Sequence, residues 1–206
     1  MKHYILIFIF IPLLGLGIWS LGLGSSSAQE CGIIYVTPSG ASSGVAGTRS
    51  NPANLLYGLS LVSPPDVIVW LADGVYNISN TLSIPDGVTI EGGFDPVTWI
   101  KTNANTSNIS RDASNPDMVN LALVGLMCDG ISNFRLQDLT ITVADAPGNQ
   151  ISVYGIYLNA CSNYNITRCE VNVGAGSLGV NGNLGANGTS GGDGSAGNQG
   201  VCNNES

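Results

Sequence analysis

The sequence predicts an all-β solenoid of short parallel strands, on three observations. They are a gapless internal repeat, a series of short apolar runs punctuated by turn residues, and a low density of charge. Set residues 124–146 over 154–176, an offset of 30. Gly125 falls on Gly155, Leu126 on Ile156, Ser132-Asn133 on Ser162-Asn163, Leu136 on Ile166, Ile141 on Val171 and Val143 on Val173. Identities number only four in 23, but the apolar positions match throughout. One such unit cannot bury its own apolar side, so it must stack on the next. Stacked parallel coils lie about 4.8 Å apart, and like residues then form ladders. Asn133 over Asn163 is an expected asparagine ladder at a bend, and Asp138 opposite Arg168 an expected structural ion pair. Alternation puts Asp138 and Arg168 on the same side as Leu136 and Ile166. Either a bend near Gln137–Leu139 turns them outward, or the pair is buried.

Composition narrows the class further. Only 10% of the 206 residues are charged, and 28 are glycine. The net charge of −8 leaves no basic footprint for a nucleic-acid partner. Apolar content of 44% is enough for a core.

Residues 1–28 read as a signal peptide. Lys2 and His3 form a short positive start, residues 4–23 carry no charge, and Ser26 and Ala28 suit cleavage before Gln29. An uncleaved membrane anchor is the competing reading. His3 is the single histidine, so a cleaved chain has no Ser-His-Asp or Cys-His chemistry and no histidine-ligated metal. No membrane attachment is expected after cleavage, and no cofactor or metal. All five cysteines lie after the signal. Export permits disulfides, and an odd count leaves at least one cysteine outside any intrachain bridge.

Residues 29–175 are expected to hold the solenoid. Ile33–Val36 is a short strand run, followed by a turn-rich stretch from Pro38 to Pro52. Leu55, Leu56, Leu59 and Val62 recur at helical spacing over 53–62, with Asn51 and Pro52 as cap and first-turn residues. This helix is expected to cover the first coil, protecting unpaired backbone groups. Strand runs recur from Val67 to Glu91, bounded by Gly, Asn, Asp or Pro. Residues 101–117 are polar and read as an excursion loop. Trp70 sits in an apolar run and reads as core.

The stretch Ile34-Tyr35-Val36, Gly47-Thr48, Asn51-Pro52, Leu71-Ala72-Asp73-Gly74-Val75-Tyr76 and Gly87-Val88-Thr89-Ile90-Glu91-Gly92-Gly93-Phe94-Asp95 resembles the opening of the secreted, pectin-lyase-like β-helix proteins of bacterial surfaces. Residues 155–169, with Gly155-Ile156-Tyr157 and Ser162-Asn163-Tyr164-Asn165-Ile166-Thr167-Arg168-Cys169, resemble their later coils. The resemblance spans roughly residues 32–175 and implies a right-handed parallel β-helix. It does not choose among lyases, hydrolases, adhesins and passenger domains.

Residues 176–206 differ. Nine glycines stand at every third position from Gly176 to Gly200. Period three is that of polyproline II, and a polyproline-II-like Gly-x-y segment is expected, as strands laid side by side with their glycine faces in contact; a collagen triple helix is a second option, but no proline is present to rigidify it, and a mobile polar loop is the plainer alternative. The segment reads as incomplete, with a missing C-terminal portion of a longer chain expected.

A β-helix lyase needs clustered carboxylates for Ca²⁺ and an Arg or Lys base. Asp129, Asp138, Asp145, Glu170, Arg135 and Arg168 are the available groups, and they are scattered in sequence. Asp86, Glu91 and Asp95 read as turn residues. The expectation is therefore a non-enzymatic, extracellular or bacterial cell-surface protein, acting as a rigid spacer or adhesin that contacts polysaccharide or cell-surface glycans. Tyr154, Tyr157 and Trp99 are the candidate sugar-contacting aromatics, with no catalytic residues assigned. The alternative is a polysaccharide lyase or glycoside hydrolase with its active site on or beyond these coils.

Overall fold

Short runs of alternating apolar residues, each ended by a turn residue, force the chain to change direction every few residues. A computed structural model describes residues 32–64 and 67–200 and shows the result, a parallel β-solenoid of about four turns. The expected signal segment, Cys31 and Cys202 lie outside the described residues.

The first coil holds β1 (Ile33–Ala41) and the short helix α1 (Leu55–Ser60). The second holds β2 (Ile68–Ala72), β3 (Gly74–Ile78) and β4 (Leu82–Ser83). The third holds β5 (Thr89–Phe94), β6 (Ser107–Arg111) and β7 (Ala122–Asp129). The fourth holds β8 (Arg135–Gln137), β9 (Leu139–Val143) and β10 (Ser152–Asn159). The fifth holds β11 (Asn165–Thr167) and β12 (Glu170–Val173). Three sheets run along the stack, in the orders β1-β2-β5-β8-β11, β3-β6-β9-β12 and β4-β7-β10.

The register follows the repeat. Val124 pairs with Tyr154, Leu126 with Ile156, Leu136 with Ile166 and Ile141 with Val171, all in parallel strands. Inward side chains then form vertical columns. On the first sheet Ile34, Val69, Ile90, Leu136 and Ile166 stack in turn. On the second, Tyr76, Ile109, Ile141 and Val171 do so. Burial of these apolar columns is the main stabilising term, at about 25 cal/mol per Å² of apolar surface.

The corners are made by residues in the left-handed region. Asn133 and Asn163 have φ of 59° and 48°, and Ser132 bridges Ser162 beside them. Asp138 and Arg168 have φ of 54° and 51° and separate β8 from β9 and β11 from β12. That is the bend required to turn both side chains away from the core. Non-glycine residues rarely adopt this conformation, and Asn and Asp do so most readily.

Four expectations need correction. Residues 101–117 are not simply a loop, because β6 lies within them. It buries Ser107, Ile109 and Arg111 and exposes the alternate positions more. The Ser107 hydroxyl donates into the strand-end carbonyls of Leu71 and Ala72 and accepts from Gly93 N–H at 2.9 Å, so a polar residue is satisfied inside. The first strand does not stop at Val36 but runs to Ala41. The helix is shorter than 53–62, and its cap is Asn54, whose side chain accepts from Tyr57 N–H at 2.8 Å. Ala53 is held instead in bridges to Val36 and Ala41. α1 contributes Leu55 and Leu59 to the solenoid core.

Trp70 is the fourth. It lies outside the solenoid core, since Val69 and Leu71 on either side point inward. It joins Tyr35, Ala72, Phe94 and Trp99 in a second cluster on the outer face of the first sheet. Trp70 stacks on Phe94 with centroids 4.3 Å apart.

Residues 174–178 continue alongside the preceding coil, with Gly174 N–H donating to Val143 and Ser177 N–H to Ile151. From Gly179 to Gly200 the chain forms no helix or strand, and it is exposed throughout.

Candidate functional site

Two outward surfaces gather polar and aromatic side chains. The first arises at the bend between β8 and β9. There the left-handed Asp138 projects beside β5, which carries Glu91 opposite Gln137. The excursion after β5 returns Lys101 to the same spot. Its ammonium bonds Glu91 Oε1 at 2.6 Å and also Asp138 Oδ2. From the coil above, Arg168 grips Asp138 twice, Nε on Oδ1 at 2.5 Å and Nη2 on Oδ2 at 2.7 Å. Gln137 donates to Glu91 at 3.1 Å. The groove beside this network holds about 210 Å³ and is further lined by Thr140 and Glu170.

The Arg168 hydrogen bonds, and then Lys101, hold the Asp138 carboxyl well below the usual carboxylate range. Asp138 in turn raises Arg168. A general base works best with a pKa near the operating pH. Asp138 is far from that, and Lys101 is engaged by two carboxylates. The arrangement ties three coils together by charge and is poorly suited to proton transfer.

The second surface lies on the outer face of the third sheet. Strict alternation would separate Tyr154 from Tyr157, which are three residues apart. The glycine rung breaks it. A side chain at Gly125 would meet Val143 and Ile141 inside the solenoid, and the next residue, Leu126, is also fully buried in the core. Val124 and Met127 therefore share the outer face, and so do their partners Tyr154 and Tyr157 one coil above. The two phenol rings meet edge to face at 5.5 Å, and about 40% of each residue is exposed.

These residues line a groove of about 370 Å³. Asp117 and Asn120, from the turn that precedes β7, close one end. Asp129 and Asn159 close the other, with Asn159 Nδ2 donating to Asp129 Oδ1 at 2.7 Å. Asp117 receives Asn120 and Val119 N–H groups, and these bonds lower its pKa. Among the described residues, no Lys, Arg or His lines this groove.

Trp99 does not join this surface, and its assignment as a sugar-contacting residue is corrected. It is only 5% exposed, with φ of 56°, and its ring packs edge-on to Tyr35 at 4.7 Å. Neither face of the indole is open. Asn133 and Asn163 sit one above the other, with Asn163 Nδ2 donating to Asn133 Oδ1. Tyr164 lies over Phe134 with planes 10° apart. The remaining carboxylates act locally. Asp86 accepts from Ser132 N–H, Asp95 caps the Val97–Thr98 turn, Asp145 accepts from Ala175 N–H, and Glu170 accepts from Asn172. Arg135 donates to the carbonyls of Phe134 and Asn163. Among the described residues, no group of three or more His, Cys, Asp or Glu is placed to hold a metal ion. Cys128, Cys161 and Cys169 are free thiols, and burial pushes Cys128 up to about 12.

Glu91, Lys101 and Gln137 were not joined to Asp138 by sequence reasoning. The one available signal was that Lys101 is the sole lysine after Lys2. Comparison with protein-family models, with curated proteins and with solved structures returns no match.

Proposed function

We propose that this chain is an exported, non-enzymatic β-helix of a bacterial cell surface, which holds a carbohydrate-contacting face on a rigid spacer. The observation that carries the reading is the Tyr154–Tyr157 pair, two half-exposed phenols set on one face by the glycine rung. Sugar-binding surfaces need flat apolar faces for the C–H side of a pyranose and fixed polar groups for its hydroxyls, the mixture found in small-ligand grooves generally. The finer assignments belong to the same reading. They are a right-handed coil sense, kinship with pectin-lyase-like proteins, α1 as an end cap, and a polyproline-II-like course for the Gly-x-y segment.

The test is retention on immobilised glycans. The purified chain should be slowed in gels containing polysaccharide, and Tyr154→Ala should abolish the retardation. Normal mobility in every polysaccharide gel would dispose of the reading.

The enzymatic alternative looks to the Lys101–Asp138–Arg168 groove, where carboxylates and cations do meet. It would require acidic polysaccharide to yield unsaturated, ultraviolet-absorbing product, lost in Arg168→Ala. The mutual neutralisation of those groups favours the binding reading.

A further inference from the structure

Resting on the carbohydrate-contacting reading above, we infer that the Tyr154–Tyr157 groove takes neutral glycans and rejects polyuronates. Its floor is apolar, built from Ala122, Val124 and Met127 below the two tyrosines. Its two ends are acidic, with Asp117 at one and Asp129 at the other. Asp117 is fixed in place by three bonds, and Asp129 is oriented by one. Asp117 Oδ1 accepts two backbone N–H bonds and Oδ2 accepts Asn120 Nδ2 at 2.7 Å. Asp129 Oδ1 accepts Asn159 Nδ2. Among the described residues Asp129 Oδ2 has no such donor, so it remains an acceptor for a ligand hydroxyl.

A neutral pyranose presents hydroxyl donors at its rim and C–H groups on its faces. The first suit the two carboxylates and the second suit the phenols. A uronate presents a carboxylate at each residue. Docked along this groove, it sets like charges against Asp117 and Asp129, with no cation among the described residues lining the site to offset them. The rest of the chain does not help, since its net charge is −8. Selectivity therefore comes from what the groove repels as much as from what it holds.

The experiment uses the purified full chain in affinity electrophoresis and calorimetry. The probes are a soluble β-glucan, a mannan and a dextran on one side, and polygalacturonate and alginate on the other, each at low and high salt. At least one neutral glycan should bind with little dependence on salt, because no ion pairs form. Tyr154→Ala and Tyr157→Ala should each weaken it about tenfold, as expected for loss of an aromatic anchor. Tyr154→Phe should retain binding, which separates the ring's role from misfolding. Asp129→Lys should give measurable polygalacturonate binding where the parent shows none. Polyuronate binding by the parent that Tyr154→Ala removes would overturn the inference and leave the carbohydrate reading standing. Neutral binding indifferent to Tyr154→Ala and Tyr157→Ala would overturn the site. Failure of every glycan would overturn the carbohydrate reading, and the inference with it.

Discussion

The fourth and fifth coils carry nearly the same pattern in the same register, yet they live in different surroundings. Ile141 is fully buried, while its partner Val171 is 44% exposed. Val143 is 2% exposed and its partner Val173 51%. The fourth coil has a neighbour on each side, whereas the described part of the fifth has one. In a solenoid, burial is conferred by the coils above and below rather than by the coil itself. One apolar side chain thus buries about twice as much of its surface in one coil as in the next.

Leu136→Ala tests this contrast most directly. Leu136 sits between Ile90 and Ile166 with no exposed surface. Its truncation should lower the unfolding free energy by about 2–5 kcal/mol, against a clearly smaller loss for Ile166→Ala. Equal losses in a denaturant titration would mean that the fifth coil is covered in solution, and the contrast would disappear.

The glycine rung offers a subtler comparison. A Cβ on Gly125 would fall 2.6 Å from the Gly155 carbonyl oxygen, which is backbone and cannot step aside. A Cβ on Gly155 would meet Val171 Cγ1 at 2.2 Å, but that valine is half exposed and can rotate away. Gly125→Ala should cost about 1–3 kcal/mol and Gly155→Ala less. The reverse order in thermal unfolding would show that the fifth coil packs on Gly155 more tightly than the fourth packs on Gly125.

The bond that joins the two coils through charge should have the smallest effect. Asp138 is 18% exposed and Arg168 61%, so solvent screens the pair and its contribution is small. The folded-state pKa of Asp138 is depressed. Its contribution is therefore present above the unfolded value of about 3.9 and is lost as pH falls towards the folded one. Stability of the parent should fall more steeply below about pH 4 than that of Asp138→Asn. Parallel pH profiles for the two proteins would show that the bridge does not hold in solution.

The sequence reveals the parts of this fold that depend on spacing. The 30-residue offset places Leu136 by Ile166 and Asp138 by Arg168 without any knowledge of the coil's shape. The same offset relates Asp129 to Asn159 at one end of the tyrosine groove. What depends on irregular segments is not legible. β6 hides because its inward positions are Ser107, Ile109 and Arg111, only one of which is apolar. Arg111 is nevertheless buried, its guanidinium donating to the carbonyls of Asp112 and Asn115. Trp99 could not be placed either. Its position follows from the Asp95 turn folding back onto Tyr35, a contact between segments with no shared periodicity. Asp117 reaches the groove through a tight bridge to Ala122, which nothing in the repeat foreshadows.

The parallel ladders that hold the coils together run along the stack, so a load applied between its two ends acts on them directly. Tension would not shear long strands past one another; it would peel coils from one end in succession. Each coil released from the regular part frees the 30 residues of one repeat, about 100 Å of extended chain. Such a tether is stiff under small forces and yields in steps under large ones, so single-molecule pulling should give a stepped trace, whereas one cooperative rupture would contradict it. The steps should be uneven, because adjacent strands on the first sheet are offset by 46 residues between β5 and β8 but by 30 between β8 and β11.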